Sequence, residues 1–598
     1  MKHKNHKVDF CVVGGGLAGM CAAIAAARHG IKVALIQDRP VLGGNASSEI
    51  RMWICGACGK DNRETGIIEE LQLENRYRNP HSNYSIWDSI LYEKIRFEPN
   101  ITMLLNCSAN DLEMDGSRIK TVKAWQLTTE TWHRVEAKLF SDCSGDSILA
   151  PLSGAEFRVG REARHEFGED AAPEIADGKT MGLSCLIQTR QTSSPQTFVP
   201  PAWAYKYLTC DAFPHREHTI NETQNFWWIE IGGGRDTVHD SEEIRDELLK
   251  IAYGVWDHIK NHCDRKDRAR NWALDWLGFL PGKRESRRYI GDHILRQSDI
   301  TEGREFDDVV AFGGWPMDDH QPSGFQSTDK PTRFIPIPSP FGIPYRCLYS
   351  RNVENLFFAG RNISATHTAM SSTRVMATCA TLGQAVGTAA AIAVRDGLSP
   401  RDLRKEGIDE LQDMLQDDDC FLPGRTRKVP ELTRKARLTA SLGDPEPLRN
   451  GIDRSLNGQD NGWCTGPDQW VEYRFDEPQQ VMMARLIFDS DLNRLIRDKK
   501  LGPDVIANGN DPAAAATREM RCCYPLHMEP RTVPSCMTRA FRIEAEDRCG
   551  KWAEIFRQDN NYQRLARVPL NVKTCALRLV CEKTWGAPNA HLFAWDVP

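Results

Sequence analysis

The sequence carries no excess of basic residues. Its net charge is −6, so it lacks the positive face on which nucleic-acid binding depends, and no nucleic-acid partner is expected. Beyond the N-terminal run discussed below, no stretch reads as long and apolar enough to span a bilayer, and no membrane partner is expected. The 19 cysteines are odd in number and lack framework spacing. That excludes a disulfide-stapled scaffold and points to buried thiols in a reducing compartment. No second Cys/His pair stands at zinc-like spacing, so no metal site is expected. Internal repeats and low-complexity segments are absent as well. What is left is an ordinary globular composition, 40% apolar and 26% charged. A chain of 598 residues is too long for one hydrophobic core, so two or three domains are expected. The 16 tryptophans supply many aromatic surfaces, which composition alone does not divide between core and ligand.

The N-terminus imitates a secretory signal. MKHKNHK precedes a largely apolar run from Val8 to Ala27 that ends in Ala25-Ala26-Ala27. Against cleavage stand Asp9, three consecutive glycines, and a second apolar strand (IKVALI, 31–36) at the distance a βαβ unit requires. A cytoplasmic location is expected, with a periplasmic one as the alternative if the N-terminus is a cleaved signal.

Residues 8–13 read as a buried strand and 17–29 as a small-residue helix ended by Gly30. Short strands follow at 101–106, 119–128 and 134–141, with a hairpin turn at Asp115-Gly116. A middle region to about 344 holds Gly/Pro clusters and a charged helix near 241–261. A strand at 355–359 and a long small-residue helix over 372–395 come next. Residues 401–436 form a charged connector containing Asp417-Asp418-Asp419. From 437 onward, alternating segments such as Val471-Glu472-Tyr473-Arg474-Phe475 and Leu577-Arg578-Leu579 predict an antiparallel sandwich.

The strongest motif is Gly14-Gly15-Gly16-Leu17-Ala18-Gly19. Gly14 permits the tight turn, Gly16 a close backbone approach to a pyrophosphate, and Gly19 the packing of helix on strand. The helix start presents free N–H groups and a positive dipole end. At the end of the second strand, where a ribose-binding acid is usual, stand Gln37, Asp38 and Arg39. Gln37 is expected to hydrogen-bond the ribose without contributing charge.

Three further segments carry a resemblance: Leu42-Gly43-Gly44-Asn45-Ala46-Ser47-Ser48-Glu49-Ile50-Arg51; Asp142-Cys143-Ser144-Gly145-Asp146; and Phe358-Ala359-Gly360-Arg361-Asn362, followed by Ser372-Thr373-Arg374-Val375-Met376 and Gly383-Gln384-Ala385-Val386-Gly387. Over residues 8–395 the chain resembles the FAD-dependent oxidoreductases of the glutathione-reductase-like flavoprotein superfamily. The resemblance implies FAD as cofactor. It places Gly14, Gly16, Leu17, Ala18, Gly19, Gln37, Asp38, Arg39, Gly43, Gly44, Asn45, Ala46, Arg51, Ala109, Ser144, Gly145, Asp146, Gly360, Arg361, Arg374, Gly383 and Gln384 at the cofactor. The fold class implied is an α/β FAD-binding Rossmann-like domain (1–150 plus 345–400) with an inserted α+β substrate domain (151–344), followed by an all-β sandwich (437–598).

An oxidation at a hydroxyl-bearing carbon needs a base for the hydroxyl proton. His367, a few residues beyond Arg361, is the first candidate, and His320, on a Gly/Pro-rich loop, the second. Arg284 and Arg287, in Gly282-Lys283-Arg284-Glu285-Ser286-Arg287, are candidates for anchoring substrate. Cys55-Gly56-Ala57-Cys58 has redox spacing, but the second dinucleotide fingerprint of disulfide oxidoreductases is missing, which favours buried thiols. The C-terminal region resembles a galactose-binding-like (discoidin-type) module, through Asn450-Gly451-Ile452-Asp453, Trp463, Trp470, Glu472, Thr584-Trp585-Gly586-Ala587-Pro588 and Trp595. These readings predict an enzyme that moves hydride from a hydroxyl-bearing carbon of a small polar substrate, a sugar or glycoside, to flavin. The alternatives are flavin-assisted glycoside cleavage by oxidation and β-elimination, and a carbohydrate-binding protein with a vestigial flavin fold. A homo-oligomer is compatible with either module.

Overall fold

In the computed structural model, the described residues are 1–59, 61–221, 224–492 and 520–598. Strand Phe10–Val13 is buried along its whole length, as an all-apolar run must be when both faces of a sheet are covered. It is the middle strand of a five-stranded parallel sheet in the order 356–358, 139–142, 10–13, 33–36, 101–104. Helix Leu17–Arg28 follows it directly and ends at His29, with Gly30 at φ +90°, as expected from the terminal glycine. The predicted 134–141 strand is two strands, Thr131–Glu136 and Leu139–Asp142. The first belongs to a separate four-stranded sheet whose hairpin, 107–115 with 118–126, turns at Asp115-Gly116 as expected. Lys2–Lys7 form that sheet's outer strand, parallel to Thr131–Glu136.

The small-residue segment over 372–395 is also two elements, His367–Thr373 and Met376–Asp396, broken at Arg374-Val375. Contrary to the reading that nothing beyond the N-terminal run could cross a bilayer, Met376–Asp396 is long and apolar enough, at mean hydropathy 1.4. Its apolarity has another cause, because 94% of that stretch is buried inside the protein. Its glycines make the fit: a Cβ on Gly383 would lie 2.0 Å from the Ala18 carbonyl oxygen, and one on Gly387 2.2 Å from that of Ala22. Two helices pack backbone against backbone there, which only hydrogen side chains allow.

The chain divides into two compact units whose boundaries interleave. The first contains residues 1–58, 81–411 and 520–530. Between the sheet strands it carries two- and three-stranded antiparallel sheets and helix Ser241–Asp257, around a core of Leu183, Ile187, Phe226, Trp228, Leu248 and Trp256. Cys523 is buried in that core, which is why 520–530 belong to this unit rather than to the predicted sandwich. The second unit contains residues 61–80, 412–492 and 531–598. It is a seven-stranded antiparallel β-structure dominated by two long bulged strands, Trp470–Phe488 and Leu565–Thr584. The strands enclose one core with Trp463, Tyr473, Phe541 and Trp595, joined by Leu73 from helix Ile67–Arg78. That helix, placed by sequence in the nucleotide domain, is drawn to the β-unit by its buried Leu73.

Candidate active site

The glycine turn is built as the fingerprint requires. Gly14 has φ +106°, and a Cβ there would sit 2.4 Å from the Cys143 carbonyl; on Gly19 it would sit 1.8 Å from the Gly14 oxygen. Gly16 by contrast meets only the Gly44 Cα, at 3.9 Å, which leaves its backbone open to a ligand. The following helix has no side-chain cap at Gly16, so the N–H groups at Leu17 and Ala18 begin a free positive end. The second glycine motif lies alongside: Gly43 N–H donates to the Gly15 carbonyl (2.9 Å), and Gly43 and Gly44 both have positive φ. Ala46 is buried beneath, its carbonyl accepting from Trp87 Nε1 (3.0 Å).

Gln37 has a different role from the one expected. It is buried, its Oε1 accepts the Gly15 N–H (2.7 Å), and its Nε2 donates to the Val41 carbonyl (3.2 Å). The amide therefore clamps the glycine turn instead of presenting itself to a ribose. Asp38 is exposed and Arg39 lies 3.9 Å from both Asp38 and Glu49. Ala109 is buried on strand Cys107–Asp115, whose first N–H donates to the Gln37 carbonyl (2.9 Å).

The third return converges on Asp146. Its carboxylate accepts from Arg361 Nη2 (2.6 Å), Lys283 Nζ (2.8 Å) and Ser286 Oγ (2.8 Å). Burial pushes its pKa up, but Arg361 and Lys283 outweigh that and hold it below the usual carboxylate range. Arg361 Nε donates to the Gly145 carbonyl (2.9 Å), while its Nη1 is buried with no partner. Gly145, at φ +76°, has the Arg361 guanidinium where a Cβ would be, and Gly360 also has positive φ (+123°). Ser144 Oγ donates to Asp142 Oδ1 (2.6 Å) and accepts the Ile148 N–H (3.2 Å). An open glycine cradle, an uncapped helix start and a buried unpaired guanidinium N–H together fit an anionic dinucleotide such as FAD.

Two of the expected cofactor residues have other work. Arg51 is stacked between the Tyr84 and Trp276 rings (4.7 and 4.6 Å), and its N–H groups go to the Ser48 carbonyl (3.0 Å) and Gln188 Oε1 (2.8 Å). Gly383 is consumed by helix packing, and Gln384 beside it is buried in the same helix.

Asn45, Lys283, Arg361 and Arg374 lie on the wall of a cavity of about 400 Å³ in the first unit. Its aromatic lining comes from Trp53, Trp227, Trp228, Trp315 and Phe334, and its polar lining from Glu217, Arg284, Asp318 and His320. Trp315 Nε1 and Arg374 Nε are buried without hydrogen-bond partners. Arg284 bonds Ser184 Oγ (2.7 Å) and the Trp227 carbonyl (2.9 Å) and pairs with Glu230 (3.4 Å). Arg287, expected beside the substrate, instead bonds the Asp146 carbonyl (3.2 Å) and covers the Phe157 ring (5.8 Å).

The two histidines separate clearly. His367 is not on the cavity wall. Its Nδ1 bonds Glu285 (2.9 Å), its Nε2 bonds Asp319 (3.0 Å), and its backbone N–H bonds Glu162 (2.9 Å). Burial lowers its pKa, but Glu285 and Asp319 prevail and push it up to about 10. Away from the cavity, with both ring nitrogens within 3.0 Å of carboxylates, His367 is held as a structural cation, and the expectation for it is corrected. His320 does line the cavity, packed edge-on against Trp227 (5.4 Å). Its Nδ1 contacts Glu230 Oε2 at 2.6 Å and its Nε2 contacts Asp318 Oδ2 at 3.3 Å. Burial again opposes the charged ring, and Glu230 and Asp318 raise the pKa above the ordinary value. Neither Glu230, on a two-residue strand, nor Asp318 was marked by the sequence. Cys55 lines the cavity and Cys58 is buried.

The expectation of no metal-ligand set also needs correction. Cys210, His218, His258 and Cys263 converge, because folding brings together residues up to 53 positions apart.

In the second unit, Trp463 and Trp595 are core residues and Asp453 is held, half-buried, between Arg427 and Arg485 (2.9 Å each). Trp470 is covered by Arg578 (4.3 Å) and Trp585 by Arg539 (4.8 Å). The tryptophans named from sequence thus have intramolecular partners.

A family model described as FAD dependent oxidoreductase matches residues 9–415. No curated protein sequence matches. Among solved structures, a geranylgeranyl bacteriochlorophyll reductase-like protein from Thermoplasma acidophilum is 13% identical, covering 69% of this chain and 84% of its own, at TM-score 0.31. The glycerol-3-phosphate dehydrogenase from Bacillus halodurans, complexed with FAD, is 13% identical over 33% of this chain and 43% of its own, at TM-score 0.19. The family 32 carbohydrate-binding module of Streptococcus pneumoniae EndoD is 12% identical over 27% of this chain and 94% of its own, at TM-score 0.18.

Proposed function

The chain belongs to the FAD dependent oxidoreductase family, and from that premise we propose that it oxidises a hydroxyl-bearing carbon of a sugar or glycoside in the tryptophan-lined cavity. FAD, when bound, supplies the hydride acceptor. Gly14, Gly16, Gly43, Gly44, Gly145 and Gly360 shape its backbone cradle, and Arg361 and Arg374 offer N–H groups to negative charge on it.

The observation that carries the reading is His320 on the cavity wall with Glu230 behind it. Glu230 holds the Nδ1–H at 2.6 Å and fixes the tautomer, while the 3.3 Å contact to Asp318 leaves Nε2 the looser atom. His320 takes the hydroxyl proton on Nε2, and Glu230 stabilises the imidazolium that results. Flat aromatic faces beside Arg284 and Glu217 suit a polyhydroxylated ring, apolar on one face and hydrogen-bonding at its rim.

The test is anaerobic bleaching of the flavin absorption by a panel of sugars, glycosides, hydroxy acids and amines. Bleaching by sugars or glycosides alone supports the reading. Bleaching by hydroxy acids or amines and not by sugars overturns it. Glycoside cleavage with no external electron acceptor would replace net oxidation by oxidation followed by β-elimination.

A further inference from the structure

Cys210 lies in a short 3-10 turn, His218 in the loop that follows, and His258 and Cys263 at the two ends of the π-turn that closes helix Ser241–Asp257. One ligand atom from each lies within 4.8 Å of all the others. Cys210 Sγ is 3.8 Å from Cys263 Sγ and 3.5 Å from His258 Nε2. A tetrahedral ion with Zn–S near 2.3 Å and Zn–N near 2.0–2.1 Å sets two sulfurs about 3.8 Å apart and sulfur from nitrogen about 3.6 Å. A disulfide would need about 2.05 Å.

The ring orientations carry the argument further. His258 Nδ1 donates to the Tyr207 carbonyl (2.8 Å) and His218 Nδ1 to the Arg216 carbonyl (2.9 Å). A carbonyl accepts only from an N–H, so each ring turns a lone pair on Nε2 toward the sulfurs. This is the outer-shell arrangement that prepares histidine for a metal. His218 Nε2 is buried with no hydrogen-bond partner, an arrangement that is unfavourable if nothing binds there. Arg265 N–H donates to Cys263 Sγ (3.4 Å), and the Phe213 ring packs on both imidazoles (4.9 and 4.7 Å). Two thiolates and two neutral imidazoles cancel the charge of a divalent ion, which suits a closed, dry site.

We propose that Cys210, His218, His258 and Cys263 bind a structural zinc ion. On binding, the two thiols release their protons and no redox change occurs. The ion would hold the loop whose His215 and Glu217 line the cavity, so it would set one wall of the substrate site without touching the reaction.

The experiment is metal analysis of the full-length protein purified without chelator, with X-ray absorption at the zinc edge. One zinc per chain in a shell of two sulfurs and two nitrogens is expected. Cys210→Ser/Cys263→Ser should lose the ion, while Cys464→Ser, at an exposed thiol elsewhere, should keep it. Should the double variant not fold, Co²⁺ added to reduced, metal-stripped wild-type protein gives the answer. Tetrahedral thiolate bands in the red, beyond flavin absorption, support the site. The proposal is overturned if the native protein holds no stoichiometric zinc and takes up no tetrahedral cobalt, or if the zinc shell is oxygen only.

Discussion

Replacing Glu230 by Gln tests the proton acceptor through its pH dependence. The carboxylate touches His320 Nδ1 at 2.6 Å and also pairs with Arg284 at 3.4 Å. With charge centres about 4 Å apart at an effective dielectric near 20, the attraction is about 4 kcal/mol, all of it favouring the protonated ring. Gln keeps the shape, and with its amide oxygen on His320 Nδ1 it still accepts that N–H while giving up the Gly182 N–H that Glu230 Oε1 accepts at 2.8 Å. It removes the charge and leaves Arg284 uncompensated, which pushes His320 further the same way. The sign is fixed: His320 is raised in the folded protein, so the base form appears only as pH rises through that raised value. The rate of flavin bleaching in an anaerobic stopped-flow, followed against pH, should therefore rise along a limb lying above the ordinary histidine range. In Glu230→Gln that limb should move to lower pH, because a charge that favours the imidazolium is gone, making the variant the faster enzyme on the acid side. His320→Gln should flatten the profile. The reasoning is refuted if the limb stays in place in Glu230→Gln, or survives in His320→Gln.

Other outcomes follow from the same geometry. Gly383→Ala drives a methyl into the Ala18 carbonyl at 2.0 Å; overpacking of this kind costs about 1–3 kcal/mol, visible as a lowered melting temperature. Arg361→Ala strips the pair at 2.6 Å from Asp146 and should weaken FAD retention by about tenfold or more, measured by flavin release on dilution, with Arg361→Lys restoring little because the forked geometry is lost. Trp227→Ala should raise KM for the substrate by roughly tenfold while moving kcat less, since stacking is worth about 0.5–1.5 kcal/mol beyond area. His367 has its pKa raised to about 10, so its stabilising charge is complete below pH ~6.5 and fades as pH climbs through about 10. Melting temperature should fall on that alkaline limb in wild type, and His367→Gln should be destabilised by about 3–5 kcal/mol and lose the limb.

The nucleotide fold was legible because its signals are local. A glycine triplet between a buried strand and a small-residue helix leaves few alternatives, and Gly14 takes the tight turn and Gly19 the close packing that the motif predicts. The three glycine returns were equally visible, and Arg361 does reach the cavity. The histidines show the limit. His367 looked suitable by nearness in sequence to Arg361, but its state is set by Glu285, 82 residues away, and Asp319, 48 away. The setting of His320 comes from Glu230, 90 residues away on a two-residue strand with no periodicity to read. Gln37 was read from where family chains put an acid, whereas its contacts are with its own glycine turn. The Cys210, His218, His258, Cys263 set escaped for the same reason, its spacings being those of no short motif.

The placement of helix Ile67–Arg78 has a consequence for how the protein is made. Leu73 belongs to a core whose other members include Trp463 and Trp595. On a ribosome adding about 5–20 residues per second, that leucine waits through ~520 further residues, on the order of a minute, for the last of its neighbours. During that interval Leu73 has none of these late core partners to pack against. The second unit thus closes only after Trp595 has been made, and a premature stop anywhere in the strands before it would leave the early helix, as well as the late sheet, without a full core.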